Sequence, residues 1–474
     1  MKIEHVPLRT MTTVYLSYLF AIILGNLKDL FEYIFSYDSF VFRKKNGFNP
    51  IISRLDSFFI RRCYTEISDV FNRPITEFPS KFIISLERDF KKKNLIDNLT
   101  GKKILLLNFG SYNYLGYACK DSFTNEILIN SLEDMPLSLG GKSTDLGIHP
   151  ILRELEIELA DFLHKEDCFV LPMGFGANSG TIPVFTSEGD LIISDELNHK
   201  SIITGAKLSC ATKRTFTHND MNQLEQILRR EIAHGQPKTF KPWKRIFVIV
   251  EGIYSMEGTI LNLKELVELK RKYKFYIFID EAHSIGAIGK TGRGICEYAD
   301  VNFDDIDILM GTFSKTFSGM GGYIASSKKV VNFLKNKSDM SRFGEQMSPI
   351  VAKQILETLK HLKYGEGANY PSILMENASY MRKKLIDLGY VVFGNDNSPV
   401  IPLMIFSPGK IGEFSAICYE KGLAVVVVGY PATPVISSRV RLCLSYHHTR
   451  EEIDIAIKII DYAGRLLGMN ILKK

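Results

Sequence analysis

The sequence predicts an α/β protein: a large domain on a mostly parallel sheet, a smaller C-terminal α+β domain, and an N-terminal membrane helix. Three observations carry that expectation. Residues 246–250, 276–279 and 306–310 form short, mainly apolar runs, the composition of strands covered on both faces. A helical pattern over 263–270 crosses between the first two, as in a βαβ unit. Residues 10–27 hold no charged side chain, a window near the lower limit for crossing a bilayer. The chain then divides into a membrane-anchoring, amphipathic segment (1–45), a lead-in segment (46–103), a large domain (104–370) and a small domain (371–474).

Composition excludes several classes. The 474 residues are 45% apolar and 24% charged, as in ordinary globular proteins. The net charge of +6, from 59 basic and 53 acidic residues, is too mild to argue for nucleic acid. The seven cysteines (63, 119, 168, 210, 296, 418, 443) are scattered and odd in number, which argues against a disulfide framework and fits a reducing compartment. Cys443 lies in an apolar run and reads as core. No Cys/His spacing suggests a metal, and no repeat is present.

At the N-terminus, no Ala-x-Ala-like cleavage site follows the apolar run, so a removed signal peptide is not expected. Lys28, Asp29 and Glu32 among Leu30, Phe31, Ile34 and Phe35 make the continuation amphipathic; a short span, a helix lying in the interface and a buried helix all fit. Asn72-Arg-Pro74 is a turn and Lys91-Lys-Lys93 a solvated loop. A strand over 104–108 leads into the aromatic turn Gly110-Ser-Tyr-Asn-Tyr-Leu-Gly116. Gly140-Gly-Lys-Ser-Thr144 lacks the spacing of a phosphate loop. It precedes an amphipathic helix with Ile151, Leu152, Leu155, Leu159, Phe162 and Leu163 on one face. A strand over 168–171 runs into Met173-Gly-Phe-Gly-Ala-Asn178, a turn that offers backbone N–H groups to an anion. Asn219 or Asp220 caps the helix that carries Leu224 and Leu228. The small domain has a helix over 374–388, a strand over 401–405, an apolar run over 424–428, Pro431-Ala-Thr-Pro434 and Arg439-Val-Arg441 within a strand. Thr449-x-x-Glu452 is a capping box for a last helix bearing Ile453, Ile457 and Ile460.

The stretch from Asp280 to Gly322 carries the chemistry. Phe278-Ile-Asp-Glu-Ala-His-Ser284 puts Asp280 at the carboxyl end of one run, and Gly311-Thr-Phe-Ser-Lys-Thr-Phe-Ser-Gly-Met-Gly-Gly322 puts Lys315 in a small-residue loop after another. Ligands of open α/β sheets bind where strands end. An acid and a lysine there suit pyridoxal 5'-phosphate (PLP), the lysine for a Schiff base and the acid for the pyridinium nitrogen. A lone lysine in such a loop is usually solvated; with His283 and Thr312 beside the pair, the segment resembles the α-oxoamine synthase family of PLP-dependent enzymes. Glu251-Gly-Ile-Tyr-Ser-Met-Glu-Gly258 and Thr291-Gly-Arg-Gly294 narrow the resemblance to the catalytic (second) long-chain-base subunits of serine palmitoyltransferase.

That resemblance implies a type I PLP-dependent transferase fold. It implies that Gly174, Phe175 and Thr312 hold the cofactor phosphate, that His199 stacks on the ring, and that Ser255 and His283 face its 3-hydroxyl side. Asp280 would pair with the ring nitrogen, and Lys315 would hold the cofactor and act as base, making Lys315, Asp280 and His199 the catalytic set. Tyr112 and Asn113 would lie beside the amino-acid substrate, with Arg441, in preference to Arg439, clamping its carboxylate. The implied reaction condenses L-serine with palmitoyl-CoA or another long-chain acyl-CoA to 3-ketosphinganine, CoA and CO2, the first step of sphingolipid synthesis. The implied setting is a heterodimer with a non-catalytic long-chain-base subunit on the endoplasmic reticulum membrane, with the catalytic domain facing the cytosol. Tyr18-Leu-Phe and Gly25-Asn-Leu-Lys-Asp29 are similar to that family's membrane anchor. Three positions depart from the pattern: Asp145 where relatives carry Arg, Glu345-Gln346 where they carry Thr-Ser, and Tyr446-His-His448 where they carry Ala-Ala-His. A soluble relative using glycine or alanine would lack the apolar N-terminus, and a scaffold subunit would lack Lys315.

Overall fold

The computed structural model describes residues 8–35, 47–49, 72–89, 99–143, 147–430 and 432–469, with Phe58, Arg62 and Val70. Cys63, the Lys91–Lys93 run, Asp145 and Pro431 lie outside the described residues.

Strands β1 (Phe82–Arg88) and β2 (Leu99–Asn108) pair antiparallel. Seven strands follow in the large sheet: β3 (Asp167–Leu171), β4 (Leu191–Asp195), β5 (Thr212–Phe216), β6 (Ile246–Glu251), β7 (Tyr276–Asp280), β8 (Ile308–Thr312) and β9 (Gly322–Ser326). Their order is β3-β9-β8-β7-β6-β4-β5, parallel except for β9, which runs antiparallel to both neighbours. The continuous apolar runs follow from burial on both faces. Phe247, Ile249, Phe278, Ile308 and Met310 face one layer of helices, while Val248, Val250, Ile277, Ile279 and Leu309 face the other.

The last strands are β10 (Val400–Phe406), β11 (Leu423–Ala424), β12 (Val426–Val428) and β13 (Ser438–Cys443). The expected single run over 424–428 is split because its halves pair with different sheets, β11 with β2 and β12 with β13. Likewise β2 pairs with β1 and β11, outside the seven-stranded sheet. Its end therefore delivers the aromatic turn to the site from the side of the C-terminal sheets. Asp220 caps Met221–His234 through its side chain, while Asn219 takes the left-handed conformation before it. The Thr449–Glu452 capping box forms as expected on Arg450–Leu466. Cys443 is buried beside Arg441.

The N-terminal helix is Leu8–Phe35, long and apolar enough to cross a membrane. It is not a core helix: Tyr15, Leu16, Leu19, Phe20, Ile23, Leu24 and Phe31 are exposed. Val14, Gly25 and Asp29 are buried. Asp29 and Glu32 both pair with Arg62, and Tyr18 packs edge-on to Tyr430. These contact positions lie at helical spacing along one stripe, so one face is docked and the opposite face is apolar and open.

Candidate active site

Three neighbouring strands, β6, β7 and β8, end around one cavity because parallel neighbours put their carboxyl ends on the same edge. Glu251 and Asp280 are register partners at the ends of β6 and β7. Thr312 closes β8, and Lys315 follows it. A cavity of about 200 Å³ is lined by Gly174, His199, Glu251, Asp280, His283, Thr312 and Lys315, with Phe175, Asn178, Ser201, Ala282, Met310 and Ser314 completing its wall. The acid and the lysine thus meet in one enclosure.

Lys315 is partly buried, and desolvation pulls its amine down to about 8, against the pull of the Asp280 and Glu251 carboxylates. Burial also drives His283 well below the ordinary imidazole value, with Lys315 and Arg441 adding to the effect. Its Nδ1 lies 2.8 Å from the Tyr114 hydroxyl. His199 is lowered by burial as well. It caps the helix Lys200–Leu208, accepting the Ser201 N–H at Nδ1, which sets its ring beside the cavity.

Gly174 opens the helix Gly174–Ser179 against the end of β8. A Cβ there would lie 2.5 Å from Thr312 Oγ1 and 3.1 Å from Gly321 O, so the close approach of this turn to β8 requires glycine. Thr312 Oγ1 is held by Gly321 O and Ser314 Oγ, both at 2.9 Å. Phe175 is exposed and stands edge-on to His199.

A second cavity, of about 700 Å³, adjoins the first through Lys315 and Ser314 and is lined by Tyr112, Phe78, Leu128, Met320, Ile350 and Val351 among others. The Tyr112 ring is the hub between the two. Lys315 Nζ lies 5.8 Å and Arg441 Cζ 4.3 Å from its centroid, and His283 is edge-on at 4.7 Å. Ser255 stands against the Tyr112 hydroxyl and is not part of the smaller cavity's wall.

The two strand arginines separate clearly. Arg439 Nη1 bonds Met256 O at 2.7 Å and Glu257 Oε1 at 3.3 Å, and Nε bonds Ser437 O. Arg441 has no carboxylate partner among the described residues, and its buried Nε makes no hydrogen bond there. Asn113 is occupied by protein partners: its amide donates to Ala118 O and to Pro79 O of the segment before β1, and accepts from Ala118 N. In Tyr446-His-His448, His448 keeps the expected histidine and braces the same turn from behind, stacking on Phe109 at 4.2 Å and bonding Asn108 O, while the departing Tyr446 stacks on Tyr370 at 3.5 Å. Glu345 and Gln346 line a separate cavity, where Gln346 donates to Gly147 O.

Sequence reasoning assigned no role to Asn178, Ser201 or Tyr114. Asn178 Nδ2 lies 2.7 Å from Asp280 Oδ2 and 2.9 Å from Ser201 Oγ. The only signal for Tyr114 and Asn178 was their place inside the two quoted glycine-containing turns, and Ser201 gave none, since the partners come from distant elements.

The donor set fits PLP. The Lys315 amine, the buried Asp280 and Glu251 carboxyls, a neutral imidazole face and a glycine turn beside a threonine hydroxyl surround one enclosure. The aminotransferase class I and II family model matches residues 105–460. The chain is 44% identical over 433 residues to serine palmitoyltransferase 2 of Dictyostelium discoideum, covering 90% of this chain and 88% of that protein. It is 42% identical over 470 residues to long chain base biosynthesis protein 2b of Arabidopsis thaliana, covering 98% and 95%. A high-resolution structure of SPT with PLP matches with a TM-score of 0.76 at 25% identity, covering 88% of this chain and 99% of that one. With nearly full-length identity of this order and the matching sheet, the chain belongs to the serine palmitoyltransferase 2 (long chain base biosynthesis protein 2) family, within the type I fold of PLP-dependent transferases.

Proposed function

We propose that this chain is a PLP-dependent serine C-palmitoyltransferase, condensing L-serine with palmitoyl-CoA or a similar long-chain acyl-CoA to 3-ketosphinganine, CoA and CO2. The observation that supports this most is the convergence of Lys315 and Asp280 on one buried cavity beside an arginine with no carboxylate partner among the described residues. Bound PLP supplies an electron-withdrawing ring that spreads the negative charge left when the serine Cα loses its proton.

The residues divide the remaining work. Asp280 sets a negative charge where the ring nitrogen needs its proton kept. Lys315 Nζ takes the Cα proton, and its depressed pKa makes the free base accessible near neutrality. Arg441 receives the serine carboxylate; a guanidinium matches it in bidentate fashion. The His199 face keeps water from the reacting carbon. His283 shares a hydrogen bond with the Tyr114 hydroxyl through Nδ1 and would face the ring's hydroxyl side, with Ser255 behind Tyr112. The Gly174 and Phe175 amides and the Thr312 hydroxyl hold the phosphate. Asn113 shapes the turn that presents Tyr112. The apolar wall of the larger cavity offers the thioester an approach to Lys315.

The same reading takes 104–370 as the catalytic domain and 371–474 as the small domain. It takes a non-catalytic long-chain-base subunit as partner, and the endoplasmic reticulum membrane as the site of action with the active site cytosolic. The open apolar face of Leu8–Phe35 supports a membrane. Purification from membranes with an assay for serine-dependent CoA release tests the activity, and borohydride reduction followed by peptide mapping tests the lysine. CoA release without serine dependence, or no PLP fixed on Lys315, refutes the proposal.

A further inference from the structure

The pocket's two carboxylates are joined by a hydrogen-bonded path through His199 and two residues that the reaction scheme does not use, Asn178 and Ser201. Asn178, almost fully buried, stands 2.7 Å from Asp280 Oδ2 through Nδ2. The orientation of its amide is forced, because a flipped amide would set an oxygen against a carboxylate oxygen. The same Nδ2 lies 2.9 Å from Ser201 Oγ. Having accepted there, the Ser201 hydroxyl directs its hydrogen to His199 Nδ1, 2.7 Å away. That nitrogen also takes the Ser201 N–H, so it is an acceptor and the ring hydrogen sits on Nε2. Finally the His199 backbone N–H donates to Glu251 Oε1. The far oxygen of Asp280 takes the Ala282 N–H at 2.8 Å.

We propose that Asn178, Ser201 and Glu251 are positioning residues: together they hold the His199 ring in one tautomer and at one tilt over the cofactor, and they turn the Asp280 carboxylate toward it. This rests on the assignment of the cavity as the PLP site. Glu251 acts through its hydrogen-bond acceptor and not through charge. It faces Asp280 as a register partner in a buried site, and two carboxylates so placed do not both ionise readily. Burial first, and then Asp280, push the Glu251 carboxyl well above its ordinary range, in agreement.

The test compares Ser201→Ala, Glu251→Ala and Glu251→Gln with the unaltered full chain, reading PLP affinity on reconstitution and the visible circular dichroism of bound PLP, which reports ring tilt. Ser201→Ala loses the hydroxyl's bonds to Asn178 and His199, and Glu251→Ala loses the acceptor of the His199 N–H. They are expected to weaken PLP binding about tenfold and to reduce the dichroic band, with little change in the melting midpoint of the PLP-free protein. Glu251→Gln keeps an acceptor oxygen and recovers most of the loss. Unchanged affinity and dichroism in Ser201→Ala, or a Glu251→Gln as impaired as Glu251→Ala, overturns the brace. If Glu251→Ala does not fold, the other two variants decide. Failure of the unaltered protein to fix PLP on borohydride reduction sinks the PLP assignment and the brace with it; fixation there with unaffected variants sinks the brace alone.

Discussion

The Arg441 guanidinium lies 4.3 Å from the centroid of the Tyr112 ring, buried and without a carboxylate partner among the described residues. Two residues earlier on the same strand face, Arg439 is tied to Glu257 and Met256 O. A buried cation held by a ring face and lacking its counter-charge is suited to an incoming carboxylate.

Arg441→Lys should therefore raise the serine KM roughly 10- to 100-fold, the range of a lost charged hydrogen bond, while the acyl-CoA KM moves little. Arg439→Lys should lower stability more than it changes the serine KM, because it leaves Glu257 buried with a poorer partner. Steady-state kinetics and thermal melts of both variants check the contrast; equal serine KM effects would show that the two arginines share the task.

The Lys315 amine, at about 8 against 10.5 for an ordinary lysine, makes a pH prediction. Near pH 7 roughly one molecule in ten carries the free base, against about one in three thousand for an unperturbed lysine. Reconstitution of the PLP-free protein should accelerate as pH rises through 8 and level off above it. The sign for stability follows from the same shift. The unfolded chain binds more protons than the folded one between pH 8 and 10.5, so burying this amine costs about 3 kcal/mol below that window, and the cost falls as pH rises through it. Lys315→Ala should abolish PLP fixation and turnover. Its stability gain over the unaltered PLP-free protein should shrink across the same pH range in thermal melts.

Gly174→Ala should weaken PLP binding. The added Cβ collides with Thr312 Oγ1, and relieving the clash displaces the hydroxyl from Gly321 O. Overpacking of this kind costs about 1–3 kcal/mol. Equilibrium dialysis of PLP measures the loss, and undiminished affinity would remove this turn from the phosphate site.

Deleting residues 1–35 should release the protein from membranes, since that segment carries the open apolar face. Flotation with lipid vesicles checks it, and continued co-flotation would shift the anchor elsewhere in the chain.

Much of this architecture is legible in the sequence because strand ends and helix caps are local properties. The apolar run before Asp280 sets where its strand stops, the run over 306–310 locates a strand that continues to Thr312, and Thr449 with Glu452 builds its cap from residues three apart. The division of 424–428 between two sheets was not legible, since nothing in an apolar run names its neighbour.

By itself the sequence determined which chemical groups stand at the strand ends, an acid on one and a lysine beyond another, and that an N-terminal helix carries a charge-free window over 10–27. Tertiary structure alone decided which of these groups are free to act. Arg439 is engaged by Glu257, Asn113 by Pro79 and Ala118, and His199 by Ser201 and Glu251. The reason is physical: a hydrogen bond or ion pair depends on distance in space, and the partners in this site arrive from elements far apart along the chain.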